Sequence, residues 1–436
     1  MDEKSQQNSG AQNKEPKKSE ASPNISIFSV NSSFHCPYRQ AMLLTQALSS
    51  NKMKVAFLLG AGCPVSVRVS DGQNTRPLIP DIEGLSSHVC KSFEKNEELK
   101  SGFEMLIKRL SIKLDRSPNV EDILSFVRAL QDVAGSDKIH GLSKDALEKF
   151  DTEICRIVTE LVKVDLPGDS SPYHHLANWI RSVPRAHPVE IFTPNYDLLM
   201  EQALEKMKVP YFDGFVGSRH SFFDLTSMEQ DSLPPRWARL WKVHGSINWW
   251  RTKTNEVERR TENAPGDSQM IYPSHLKYEQ SRRMPYLAML DRLRSFLIRG
   301  QAVLITCGYS FSDQHINDVI LQALGGNPTA ICFGLFFGDR ANVSQEAILQ
   351  IRSQPNFSLL AVDGSILGTT ERQWCSDEKI DNPFHGLAVN TGAMKYRTDA
   401  PDTCCKFLLG DFSAFGDFLA LQLSQFEGSG GGSDEK

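Results

Sequence analysis

The stretch Lys54-Val55-Ala56-Phe57-Leu58-Leu59-Gly60-Ala61-Gly62-Cys63 decides how the rest of the chain is read. Its unbroken apolar run, closed by glycines, predicts a buried strand entering a tight turn. A turn of small residues that leads into a helix lets anionic oxygens approach backbone N–H groups. The strand is therefore a core element and Gly60, Ala61, Gly62 and Cys63 form a candidate phosphate cradle. The same pattern also fits a plain strand and turn, because Gly-x-Gly is common and the third glycine of the dinucleotide fingerprint is missing.

Three later apolar runs end in residues suited to chemistry. Val189-Glu190-Ile191-Phe192-Thr193 reads as a strand, followed by Pro194-Asn195-Tyr196-Asp197 and a helix over 198–207. Asp197 suits that helix's cap, and Asn195 stands at the strand's carboxyl end, the edge where open α/β sheets bind ligands. Both residues fit equally a reading in which they only close the turn. Residues 237–243 approach His244-Gly245-Ser246. An imidazole there can accept a proton near neutral pH and the glycine admits a ligand to the backbone, whereas a satisfied buried histidine is the plainer alternative. Finally Ala302-Val303-Leu304-Ile305-Thr306-Cys307 leads into Gly308-Tyr309-Ser310-Phe311-Ser312-Asp313 and a helix from Gln314. Here Ser310 suits ribose or phosphate oxygens and Asp313 suits a helix cap.

Further strands over 329–337 and 357–362, alternating with helices, predict an α/β fold: a Rossmann-like, mostly parallel sheet flanked by helices. Residues 82–180 read as a mainly helical insertion, in which Val120, Ile123, Leu124, Val127 and Leu130 make one apolar stripe. The adjacent His174 and His175 point in different directions on a helix, which argues against a metal pair. Residues 68–81 are polar and turn-rich, either a ligand lid or an ordinary loop, and 251–269 read as a surface insertion. Residues 1–33 are expected to be a disordered tail, 34–364 the main domain, 365–426 a C-terminal segment with helix used for packing or oligomerisation, and 427–436 a flexible tail.

Over 436 residues the formal net charge is −5, from 48 basic and 53 acidic side chains, so nothing attracts a polyanion globally. None of the nine cysteines forms a Cys-x-x-Cys pair, a pattern expected of a reducing compartment and lacking a zinc ribbon. With no membrane-length apolar run, a cytoplasmic protein without membrane contact is expected.

In their order along the chain, segments 60–63, 193–197, 244–246 and 308–310 resemble the NAD-binding segments of the sirtuin superfamily. The closer resemblance is to bacterial sirtuin-like antiphage defence proteins, including the HerA-associated branch. It rests on Asn195-Tyr196-Asp197, on Lys242-x-His244-Gly245-Ser246-x-Asn248-Trp249 and on Gly308-Tyr309-Ser310-Phe311-x-Asp313, and covers about residues 52–364. The resemblance implies an NAD glycohydrolase with NAD as substrate and no metal, acting in defence by NAD depletion. It implies Asn195 and His244 as catalytic residues. By the same match Gly60, Ala61, Gly62, Cys63, Asp81, Asp197, Gly308, Ser310 and Asp313 face the dinucleotide. Cys63 replaces the more usual Ser, residues 78–81 match the family's NAD-covering segment only loosely, and the paired cysteine knuckles of the deacylases are missing. Alternatives are an NAD-dependent deacylase or ADP-ribosyltransferase, and a nucleotide-sensing subunit of an ATPase-containing defence complex. Expected partners are further copies of the chain and a HerA-type ATPase, with a phage-derived or nucleic-acid trigger.

Overall fold

The computed structural model describes residues 34–72, 74–134, 138–168, 170–230, 232–254, 256–261, 268–271, 285–375, 382–391 and 405–429. The tail expected at 1–33 lies outside these residues, as does the one expected at 427–436 except for 427–429, which end a helix. The decisive apolar run forms β1 (Lys54–Leu59), buried along almost its whole length. It pairs in parallel on one side with β2 (Glu190–Thr193) and on the other with β6 (Ala302–Cys307). Beyond β2 lie β4 (Ala238–Lys242) and then the short β3 (Tyr211–Phe212). Beyond β6 lie β7 (Ala330–Leu335) and β8 (Phe357–Leu360), both parallel to it. Among the described residues this sheet has nine strands, with β9 (Gly364–Leu367) and β10 (Thr370–Gln373) added antiparallel at the edge.

This order puts a topological switch between β1 and β6: the chain leaves β1 toward β2 and β4, then returns to the opposite side of β1. In open α/β sheets the crevice outside the carboxyl ends at such a switch is where ligands bind. The apolar runs that read as strands are buried because helices cover both faces, which a parallel sheet requires. Pro172–Ser182 (α7) and Phe412–Ser429 (α12) lie against one face, where Phe57 meets Trp179 edge-on at 5.6 Å and Phe415 at 6.1 Å. Gly416 lets these helices touch, since a Cβ there would stand 2.7 Å from Pro172 Cα. Tyr286–Ile298 (α9) and Gln314–Gly326 (α10) contribute to the other core.

The helical insertion consists of α3 (Ile82–Glu94), α4 (Lys100–Leu114), α5 (Val120–Val133) and α6 (Lys144–Val162). The stripe on α5 is buried, and its start is fixed by a reciprocal cap in which Asn119 and Asp122 exchange hydrogen bonds. A stack of Phe93 on Phe103 at 3.9 Å, with Phe150 edge-on to both, joins three of the helices.

Two segments differ from their sequence reading. Residues 68–81 include a hairpin, Arg68–Asp71 with Asn74–Pro77, rather than irregular loop alone. Within the polar stretch 251–269, Val257–Arg259 pairs with β5 (Gly245–Arg251), which Ser268–Ile271 flanks on its other side. A polar strand in a small antiparallel sheet carries no apolar run, so periodicity does not announce it. Among the described residues no helix is long and apolar enough to cross a membrane.

Candidate active site

The four strand-end turns meet at the carboxyl edge through a closed ring of contacts. The Gly62 N–H donates to Gly308 O at 2.8 Å, and Gly60 N–H to Cys307 O at 2.9 Å, so the turns after β1 and β6 touch backbone to backbone. Asn195 Nδ2 donates to Gly60 O at 3.0 Å, tying the turn after β2 to the turn after β1. The Ile247 N–H donates to Tyr196 O at 3.0 Å, linking the segment after β4 to the turn after β2. His244 Nε2 lies 3.0 Å from Asp313 Oδ2 and closes the ring back to the turn after β6.

Glycine is required where the backbones meet. A Cβ on Gly60 would stand 2.3 Å from Gly308 O, and one on Gly62 2.8 Å from Gly308 Cα. Gly308 has φ 62° and Gly245 φ 95°, left-handed conformations that favour glycine. These contacts give the small residues of both turns a packing role beside any cradle they offer an anion.

The predicted side chains fall into three groups. Asn195, His244, Ser310 and Asp313 stand at the ring, with Ser310 exposed and His244 8% exposed. Asp197 is buried behind it: its Oδ1 accepts from Leu199 N–H at 3.0 Å, and burial raises its carboxyl above the ordinary carboxylate range, opposed by the nearby Lys242 ammonium. Cys63 turns into the core, where its thiol donates to Cys307 O at 3.2 Å. Burial, with Cys307 beside it, pushes that thiol well above its ordinary value. Asp81 is exposed and caps α3, accepting from Gly84 N–H at 2.8 Å.

Several supporting residues have roles that the sequence motifs do not assign. Thr193 Oγ1 donates to Leu59 O at 2.7 Å and accepts from Asn195 N–H at 3.1 Å, which locks the first two turns together. Lys242, 1% exposed, donates to the Asp197 carbonyl and to Glu201 Oε1 at 3.2 Å. A charged residue ending an apolar strand was the available signal. Tyr309 places its hydroxyl 2.8 Å from Asn317 Oδ1 and 3.1 Å from Asp313 O, and Asn317 Nδ2 donates to Phe311 O at 2.8 Å. The turn after β6 is thereby held rigid around Phe311, whose φ is 58°. Among the described residues no group of three His, Cys, Asp or Glu side chains is arranged to hold a metal ion.

Residues 189–347 match the sequence model of the SIR2-like domain. The matched stretch is less than half of the chain. It contains the turns bearing Asn195, His244 and Gly308, and the glycine turn after β1 lies outside it. No curated protein matches the chain. Among solved structures, a Sir2 homologue in complex with NAD is 14% identical, with 73% of this chain and 87% of that one covered and a TM-score of 0.37. A structure described as the basis for the mechanism and regulation of Sir2 enzymes is 13% identical, covering 67% and 84%, with a TM-score of 0.34. A mutant Sir2 homologue with ADP-ribose is 13% identical, covering 70% and 88%, with a TM-score of 0.33.

Proposed function

We propose that the chain is an NAD-using enzyme of the Sir2 kind that breaks the bond between nicotinamide and ribose, with water as acceptor. The observation that carries this reading is the ring of four turns at the β1/β6 switch, which brings Asn195 and His244 to two glycine turns. The SIR2-like match supports NAD use in general, and bears more directly on a deacylase or ADP-ribosyltransferase than on hydrolysis. Water is favoured by the lack of any Cys-x-x-Cys pair in the sequence, the element that the deacylase resemblance would require.

In the proposed step nicotinamide leaves C1′ with the bonding electron pair and becomes neutral, while the ribose takes up oxocarbenium charge. Water adds at C1′, its proton passes to a base, and the products are nicotinamide, ADP-ribose and a proton. Such a reaction depends on placing the ribose and the nucleophile more than on a strong acid, because the leaving group is already cationic. His244 is the base in this scheme, and Asn195 orients the water or a ribose hydroxyl.

Product analysis of NAD incubations tests the reading. Free ADP-ribose formed without any acyl substrate is the expected result, and His244→Ala should lower kcat by about 10²–10⁴-fold in protein that circular dichroism shows still folded. Product formed only with acetylated peptide would move the assignment to a deacylase. NAD binding without turnover would make the chain a nucleotide-sensing subunit. The proposed role in antiphage defence predicts that infected cells lose NAD with the parent and not with His244→Ala; equal NAD levels would remove it. Self-association and a HerA-type ATPase partner belong to the same proposal and are tested by co-purification of the tagged full chain.

A further inference from the structure

We propose that Asp313 is a positioning residue for His244, fixing the orientation and tautomer of the ring; the proposal rests on the reading of His244 as the base. The contact is not a by-product of neighbouring strands. In the sheet β4 and β6 are separated by β1 and β2, about 14 Å at the usual strand spacing, and the turn after β6 crosses that distance to meet the imidazole. The carboxylate is anchored before it gets there. Its Oδ1 accepts from the N–H groups of His315 at 3.1 Å and Ile316 at 3.3 Å, as the cap of α10, which leaves Oδ2 aimed at His244 Nε2 at 3.0 Å.

Three further features keep the pair fixed. Tyr309 and Asn317 brace the turn from within, and Phe311 is buried in it with rings of Phe336 and Phe357 at 6.4 and 5.9 Å. The His244 and Asp313 side chains are only 9% and 10% exposed, so charge on one is felt by the other with less screening than in water. An ionised carboxylate can only accept, so the neutral ring carries its proton on Nε2 and presents Nδ1 as the basic nitrogen. When that nitrogen takes a proton, the carboxylate stabilises the resulting imidazolium. The same contact assigns Asp313 to the ring rather than to direct binding of the dinucleotide.

Asp313→Asn is a discriminating variant because asparagine caps helices as well as aspartate does. Its Oδ1 stays on the helix N–H groups, so its Nδ2 faces the imidazole as a donor and favours the opposite tautomer. The test is imidazole ¹⁵N NMR of the full chain at a pH where the ring is neutral, together with steady-state NAD kinetics. The expected result is an Nε2–H ring in the parent and an Nδ1–H ring in Asp313→Asn, with parental melting. A fall in kcat of about 10²–10⁴-fold with KM little changed should accompany it, while Asp313→Ala melts lower. Identical tautomers in parent and Asp313→Asn would overturn the proposal whether or not the chain cleaves NAD. So would parental turnover in Asp313→Asn, or faster turnover, which would make the contact a latch. A parent that never turns over NAD while its tautomer responds as expected would leave the positioning role standing and remove the hydrolase reading.

Discussion

The turn after β1 and the turn after β6 are built on the same plan of buried strand, glycine and helix start, yet they contribute to the site by opposite means. In the first, Gly60 and Gly62 have no side chain and Cys63 sends its thiol inward to Cys307 O, so the backbone is what this turn has to offer. In the second, side chains do the reaching: Ser310 is exposed and Asp313 extends to His244 from a loop pinned by Tyr309 and Asn317. A backbone site tolerates no added Cβ. In a side-chain site on a braced loop, Gly308 and the buried Tyr309, Phe311 and Asn317 resist substitution, while the exposed Ser310 tolerates it.

The largest effects should therefore come from giving these glycines a methyl group. In Gly308→Ala the left-handed φ of 62° and a Cβ 2.5 Å from Cys63 N act together, and the expected loss is about 2–4 kcal/mol. Gly60→Ala lacks the positive φ but puts its Cβ 2.3 Å from Gly308 O, so about 1–3 kcal/mol is expected. Gly72→Ala is the control: its φ is 65° with nothing within 4 Å of the added carbon, and about 1–2 kcal/mol should go through φ alone. Urea denaturation of the three variants reads these values. A Gly308→Ala protein no less stable than Gly72→Ala would mean that the two turns do not press on each other as described.

The contrast also explains how much was legible in the sequence. The strand before each turn is an apolar run, and burial on both faces of a parallel sheet makes such runs nearly continuous, so β1 and β6 could be read residue by residue. The turn residues could be named as a group because strand ends in this fold lie on one edge. Their directions could not. Whether Cys63 faces a ligand or the core is set by the Cys307 carbonyl of a distant strand, and the partner of Asp313 lies in another turn. Asp81 read as a site residue by resemblance, and its oxygen is engaged by Gly84 N–H at the start of α3. At the far edge, β10 escapes the apolar pattern because a partly exposed antiparallel edge accepts Thr370, Glu371, Arg372 and Gln373, and β9, although buried, is four residues long with Gly364 and Ser365 among them.

Cys63 offers a milder way to break the comparison. Cys63→Ala removes a buried sulfur and its hydrogen bond, for an expected loss of about 1–2 kcal/mol, with NAD turnover unchanged. Because burial raises this thiol, the native protein should resist alkylation at Cys63 until it unfolds. The folded state holds the proton more tightly than the unfolded chain, so the contribution is complete below the ordinary thiol value of about 8.5 and declines as pH rises above it. Mass-spectrometric mapping of alkylation at neutral pH is the check. Rapid labelling of Cys63 with loss of turnover would place the thiol in the site and make the two turns alike.

The smallest effect sharpens the other half of the contrast. Ser310 is exposed and its Oγ donates to Ser312 Oγ at 3.0 Å, so Ser310→Ala removes no buried contact and should leave stability within about 0.5 kcal/mol of the parent. If the hydroxyl touches ribose or phosphate oxygens, one hydrogen bond worth about 0.5–1.5 kcal/mol is lost equally from ground and transition states. KM for NAD would then rise by about 2–10-fold with kcat unchanged, the signature of uniform binding. A fall in kcat at constant KM would instead place Ser310 against the reacting part of the molecule, beside the His244–Asp313 pair. No change in either would confine the side-chain contribution of this turn to Asp313, acting through His244, and leave dinucleotide contact there to the backbone.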